Sequence, residues 1–232
     1  MLSFDCEKQT SDNQFVRELD DFSHILNGVN SFLIIGNKSS GKIYLIKDII
    51  KSYIENNMVD DIFLFTNQNT QYNNIVTNTE NIYQITNEQQ LDKYLEKLMS
   101  IRNDTNKNIL VVFDEVLCNP KSKNFKNFIL NCRHLKISCI LSIPYPFSFS
   151  PEIRCNFDYV LCFKDNIISN TKRLYEHYFG VLPKYKHFHE TINQLDDYAC
   201  MVVNQENTNN KLLTYKSKFN TFNTKIAVSK MP

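Results

Sequence analysis

Short apolar runs alternate along this chain with stretches of helical periodicity, the pattern of a parallel sheet with crossover helices. Strands are predicted at Phe32–Ile35, Ile62–Phe65, Ile109–Phe113, Ser138–Ser142 and Tyr159–Phe163. The run Ile109–Phe113 is apolar at every position, as expected when both faces of a strand are covered. Helices are predicted from Lys42 to about Ile54, from Glu88 to about Met99, and over Phe125–Leu130, Ser169–Tyr178 and Tyr185–Gln194. A polar loop is expected over Asn67–Asn74. Two further strands, Cys200–Val203 and Leu212–Tyr215, are joined by an Asn-rich turn and form a C-terminal hairpin. One amphipathic helix is expected near Phe15–Ile25. The fold class is therefore α/β. Residues 31–218 are read as a single domain, residues 1–30 as an N-terminal extension and residues 219–232 as a flexible tail.

Composition narrows this picture only slightly. A chain of 232 residues suits one α/β domain with a sizeable core. Lys and Arg total 26 against 25 Asp and Glu, a formal net charge of +1. That balance argues against whole-surface attraction to nucleic acid, and leaves room for a local basic patch or a ring of subunits around DNA. The seven cysteines show no Cys-x-x-Cys pair and no zinc-ligand spacing, so buried reduced thiols are expected. The N-terminus has no signal-peptide character, and no apolar run approaches the ~20 residues of a membrane span.

Chemistry enters at Gly36-Asn37-Lys38-Ser39-Ser40-Gly41-Lys42, which satisfies the G-x-x-x-x-G-K phosphate-loop pattern. It follows an apolar strand and opens a helix, the context the pattern needs. Glycines let the backbone curl so that successive N–H groups face phosphate oxygens, and the helix N-terminus adds partial positive charge. Lys42 would reach the β- and γ-phosphates of ATP. The next residue is Ile43, where a Ser or Thr hydroxyl normally serves Mg²⁺. The strand Ile109–Phe113 ends in Asp114 and Glu115. Asp114 would hold the Mg²⁺ shell, and Glu115 would polarise the attacking water as general base. Arg133 and Arg154 precede the fourth and fifth strands, and either could stabilise phosphate charge across a subunit boundary. A surface ion pair or helix-end contact is the competing role for each. His134 is read as structural. Lys172, Arg173, Lys184, Lys186 and His187, interleaved with Tyr175, Tyr178 and Tyr185, could track a DNA backbone or simply form a solvated helix face.

Taken together, these motifs resemble the DNA-packaging ATPases of nucleocytoplasmic large DNA viruses, within the FtsK/HerA class of P-loop motors. The likeness is carried by Ile62–Asn74, by Cys132-Arg-His-Leu-Lys-Ile-Ser138, by Pro151–Val160, by Lys172–Gly180 and by Tyr198–Asn204. The resemblance implies a RecA-like, mostly parallel sheet flanked by helices and a homo-oligomeric ring. It implies ATP and Mg²⁺ as cofactors, and threading of double-stranded DNA into a capsid. Viral capsid or membrane proteins would be partners, and the host cytoplasm (a viral factory) or the virion the place of action. By position, Lys42, Asp114 and Glu115 match the family's nucleotide and catalytic residues, and Arg154 matches an arginine that acts in trans. Ile43 departs from the family pattern, as does Pro144, which stands where a polar sensor is usual. The alternatives are a catalytically weakened nucleotide-binding or structural homologue, and a small-metabolite kinase, for which no Arg-rich lid is evident.

Overall fold

The computed structural model describes residues 17–67, 72, 82–104, 107–116, 119, 121–146, 149–205, 212–217, 226 and 228–230. In chain order, β1 (Arg17–Glu18) and a 3-10 turn (Phe22–His24) lead into β2 (Ser31–Ile35) and α1 (Lys42–Glu55). β3 (Asp61–Thr66), β4 (Ile82–Gln84), α2 (Glu88–Asp104), β5 (Ile109–Asp114) and α3 (Lys123–Asn131) follow. Then come β6 (Ile137–Ile143), the single-turn α4 (Pro151–Arg154), β7 (Tyr159–Phe163), α5 (Ile168–His177) and α6 (Tyr185–Asn193). β8 (Ala199–Asn204) and β9 (Leu212–Lys216) complete one nine-stranded sheet of order β1-β9-β8-β7-β2-β6-β5-β3-β4.

The sheet is parallel except at β8, which runs antiparallel to both β7 and β9. Strands β2, β5, β6 and β7 are buried at every position, which explains why their sequences are almost continuously apolar. Alternation along β2 divides the core. Phe32 and Ile34 face the cluster under α1, with Leu45, Ile46 and Ile49. Leu33 and Ile35 face the cluster that takes in Leu95, Phe128 and Phe188. The C-terminal hairpin is tied to α1 at buried Asp48, which accepts hydrogen bonds from Tyr215 Oη at 2.9 Å and Ser217 Oγ at 2.6 Å.

Two expectations are corrected. No helix covers the described part of the Phe15–Ile25 stretch: Arg17 and Glu18 pair in parallel with Leu213 and Thr214, and only the turn at Phe22–His24 is helical. Edge pairing with β9 satisfies these backbone groups in a segment too short for a stable amphipathic helix. Nor is the tail loosely held throughout. Ile226 and Val228 are buried in the α1-side core. The Ser229 amide donates to the Ile62 carbonyl at 2.7 Å, and its hydroxyl to Asp61 Oδ1 at 2.9 Å. The rest of that tail, most of the polar loop after Asn67, Cys6, Cys118 and most of the Asn-rich turn lie outside the described residues.

Candidate nucleotide site

The parallel order sets one strand, β6, between β2 and β5. The Gly36–Lys42 loop leaves the C-terminal end of β2, and Asp114 and Glu115 leave the C-terminal end of β5, so both converge on one edge of the sheet. They line an open cleft of about 480 Å³, together with Lys38, Ser39, Ile43, Tyr44, Lys47 and Tyr198.

The loop is shaped as a cradle. Ser39 and Gly41 adopt left-handed conformations, with φ of 66° and 107°, which turn the chain sharply into α1. A Cβ on Gly36 would lie 2.6 Å from Ser40 Oγ and 2.9 Å from Phe163 Cδ2, so only glycine fits where the loop crosses β7. No side chain caps the N-terminus of α1, which leaves its first amides available to an anion. Ser40 Oγ is buried without a hydrogen-bond partner. A polar hydroxyl left unpaired inside this cradle fits a ligand with acceptor oxygens.

Lys42 is 5% exposed and its ammonium is held on three sides. It donates to the Gly36 carbonyl at 2.6 Å and the Asn37 carbonyl at 2.8 Å, and lies 2.9 Å from Glu115 Oε1. Glu115 itself has φ 51°, an unusual conformation for a non-glycine residue, and its amide donates to the Ser142 carbonyl at 3.0 Å. That turn swings its carboxylate off the strand direction and over the cradle.

Asp114 is buried at the end of β5, in register with Ser142 of β6. Burial pushes its carboxyl above the usual range, and the Glu115 charge adds to the shift. The Ser142 and Tyr72 hydroxyls and the Lys42 ammonium pull in the opposite direction. Tyr72, fully buried, donates from its phenol to Asp114 Oδ2 at 2.8 Å. Its phenol is pushed well above its ordinary pKa, first by burial and then by the Asp114 charge, so it stays a donor.

Ile43 lines the cleft and also packs against the α1-side core, and its hydrocarbon side chain brings no oxygen to the site. Tyr198, with φ 63°, stands over Gly41 and meets the Tyr44 ring edge-on, centroids 6.3 Å apart. Lys47 Nζ sits 4.9 Å from the Tyr44 ring centre.

Neither candidate arginine reaches this chain's own cradle. Arg133 ion-pairs with Asp158, which also receives the Ser31 amide at 2.7 Å. Ser31 and Asp158 lie at the starts of β2 and β7, a strand length of ~15 Å from the cradle at ~3.3 Å per residue. Arg154 ends α4 and donates to the Phe149 carbonyl at 2.8 Å. It lies close enough to His177, at the far end of α5, to help depress that imidazole's pKa after burial does so. The basic residues Lys172, Arg173, Lys184, Lys186 and His187 are exposed, but their tyrosines are not a stacking platform. Tyr178 is buried, Tyr175 donates to the Leu182 carbonyl, and Tyr185 hydrogen-bonds Thr171. Among the described cysteines, Cys132, Cys139, Cys162 and Cys200 are buried and unpaired, and burial pushes the Cys162 and Cys200 thiols up.

Sequence reasoning missed Tyr72, Ser142 and Tyr198. Tyr72 and Tyr198 fall within stretches already notable for their resemblance, so a signal existed without a role attached to it. The family described as Poxvirus A32 protein matches residues 21–195, well over half of the chain. The chain belongs to that family. It is similar to the uncharacterised protein L437 of Acanthamoeba polyphaga mimivirus, 23% identical over 78% of this chain and 69% of that one. A protein of Invertebrate iridescent virus 3, 088R, is 29% identical over 43% of the chain and 39% of its own length. Among solved structures, the genome packaging NTPase B204 of Sulfolobus turreted icosahedral virus 2, in complex with ATP-gammaS, superposes with a TM-score of 0.61. That match covers 82% of this chain and 98% of B204 at 15% identity, a likeness of fold. The two relatives leave parts of their own length unmatched.

Proposed function

We propose that this chain is an ATP-driven motor that packages viral double-stranded DNA, working as a homo-oligomeric ring. The observation that carries the reading is the convergence of Lys42, Asp114 and Glu115 on one cleft, with Glu115 2.9 Å from the lysine ammonium. Family membership and the likeness to a packaging NTPase support it. The cradle would hold the triphosphate through Gly36–Lys42, with Lys42 transferring from Glu115 to the phosphates. Asp114 would hold Mg²⁺ in company with phosphate oxygens and waters, a donor set that ion accepts. When bound, the metal would neutralise charge on the transferring phosphoryl group. Glu115, released from Lys42, would orient and deprotonate the attacking water. Arg154 would reach a neighbouring subunit's site, and Arg133 would stay with Asp158. Capsid or membrane proteins would anchor the ring in the infected cell's cytoplasm.

The test is Mg²⁺-dependent ATP hydrolysis with and without double-stranded DNA. DNA-stimulated turnover lost in Lys42→Ala and Glu115→Gln supports the motor. Absence of turnover at saturating ATP would overturn it. That result would favour the second reading, a nucleotide-binding homologue without hydrolysis, for which Ile43 packed against the core is the supporting observation.

A further inference from the structure

We infer that Tyr72 is a positioning residue for the metal-holding carboxylate, supplying through its phenol the support that Ile43 withholds. The inference rests on the nucleotide-site reading above. A P-loop that carries Ser or Thr after its lysine shares metal binding between that hydroxyl and the acidic-strand Asp. Here position 43 is a hydrocarbon packed against Leu and Ile residues under α1. The whole of the protein's direct hold on the metal then falls on Asp114. A buried carboxylate in that position must be fixed in orientation, which calls for a hydrogen-bond donor.

Tyr72 meets that demand. Its hydroxyl donates to Asp114 Oδ2 at 2.8 Å, and the tyrosine is 0% exposed while Asp114 is 4% exposed. The bond is charge-assisted and shielded from water, the setting in which one hydrogen bond counts most. By occupying Oδ2, it leaves Oδ1 as the oxygen to turn toward the cleft. Tyr72 lies 42 residues before Asp114 in the chain. The hydroxyl has thus moved from the residue after the lysine to a segment beyond β3.

The experiment measures ATPγS affinity of the full chain by titration, without metal and with Mn²⁺, and follows bound Mn²⁺ by electron paramagnetic resonance. In Tyr72→Phe the metal-free affinity should move less than about twofold. The affinity for Mn²⁺ in the nucleotide complex should fall about tenfold, the range for loss of a residue that supports a metal ligand. Adding Ile43→Thr to Tyr72→Phe should recover most of that loss. If Tyr72→Phe binds Mn²⁺ like the wild type, the inference is overturned and the nucleotide-site reading stands. If the wild type shows no metal-dependent gain in nucleotide affinity, both fall. Should Tyr72→Phe prove unfolded, Ile43→Thr in the wild-type background carries the test. A gain under about twofold supports the inference, because the support is already present, and a tenfold gain overturns it.

Discussion

Lys42 Nζ and Glu115 Oε1 lie 2.9 Å apart, so the cation proposed to bind phosphate and the carboxylate proposed to activate water neutralise each other across the cleft. With the Gly36 and Asn37 carbonyls, Glu115 gives the three N–H bonds of the ammonium their acceptors. A nucleotide phosphate must displace at least one of them. Glu115→Gln removes the competing negative charge while keeping the side chain's shape. The variant should therefore bind ATP a few-fold more tightly than the wild type while hydrolysis falls about 10²-fold or more. Lys42→Ala should lose both. Binding titrations paired with phosphate-release assays separate the two outcomes; weaker ATP binding by Glu115→Gln would refute the competition.

Gly41 is required twice over, by conformation and by space. Its φ of 107° is strained for any other residue, and a Cβ there would lie 2.8 Å from Tyr198 Cδ1. Gly41→Ala should destabilise the chain by about 1–3 kcal/mol. Tyr198→Ala in the same chain should relieve the clash and leave the backbone strain, so the double variant recovers only part of the loss. Chemical denaturation of the four proteins forms a double-mutant cycle. Full recovery would show that the clash alone matters, and none would show that strain alone does.

Asp114 gives a pH dependence of definite sign. Its folded pKa is raised, with burial the leading cause. Below the ordinary carboxyl pKa of about 4, folded and unfolded chains both hold the proton. As pH rises, the unfolded chain releases it first, so this group's contribution to stability is lost as pH climbs through the folded value. Asp114→Asn has no proton to release. Thermal melts should show the variant gaining on the wild type between pH 4 and neutrality, and a gap that stays constant with pH would contradict this origin.

The sheet was legible because its central strands are buried on both faces and written almost entirely in apolar residues, as in Ile109–Phe113. The convergence of Gly36–Lys42, Asp114 and Glu115 on one cleft was legible because each motif sits at the C-terminal end of such a strand. Less visible were features that depend on distant partners. β1 is two residues long and exists through pairing with Leu213 and Thr214. Ser229 is held by Ile62 and Asp61, 167 and 168 residues away. Tyr72 could be seen as part of a recognisable stretch, but its bond to Asp114 exists only once β3 and β5 are neighbours. The arginines depend on three-dimensional arrangement in another way. Both residue type and motif position fitted a phosphate role, and only the three-dimensional arrangement pairs Arg133 with Asp158 at the far ends of β2 and β7.

That arrangement separates the two arginines by experiment. Arg133 pairs with an Asp158 carboxylate that is buried and already receives the Ser31 amide and hydroxyl. Arg133→Ala should cost about 1–3 kcal/mol by leaving part of that carboxylate unpaired, with turnover per folded molecule near wild type. Arg154 donates to the Phe149 carbonyl and lies away from this chain's own cradle. If it serves a neighbour's site, Arg154→Ala should lower hydrolysis at least tenfold with little change in ATP affinity. Mixing then gives the decisive measurement. A ring containing both Arg154→Ala and Glu115→Gln subunits has some sites with an intact Glu115 from one subunit and an intact Arg154 from the next. Activity above the sum of the two separate variants places the arginine in trans. A strictly additive mixture, in rings shown to exchange subunits, would place its effect within its own chain.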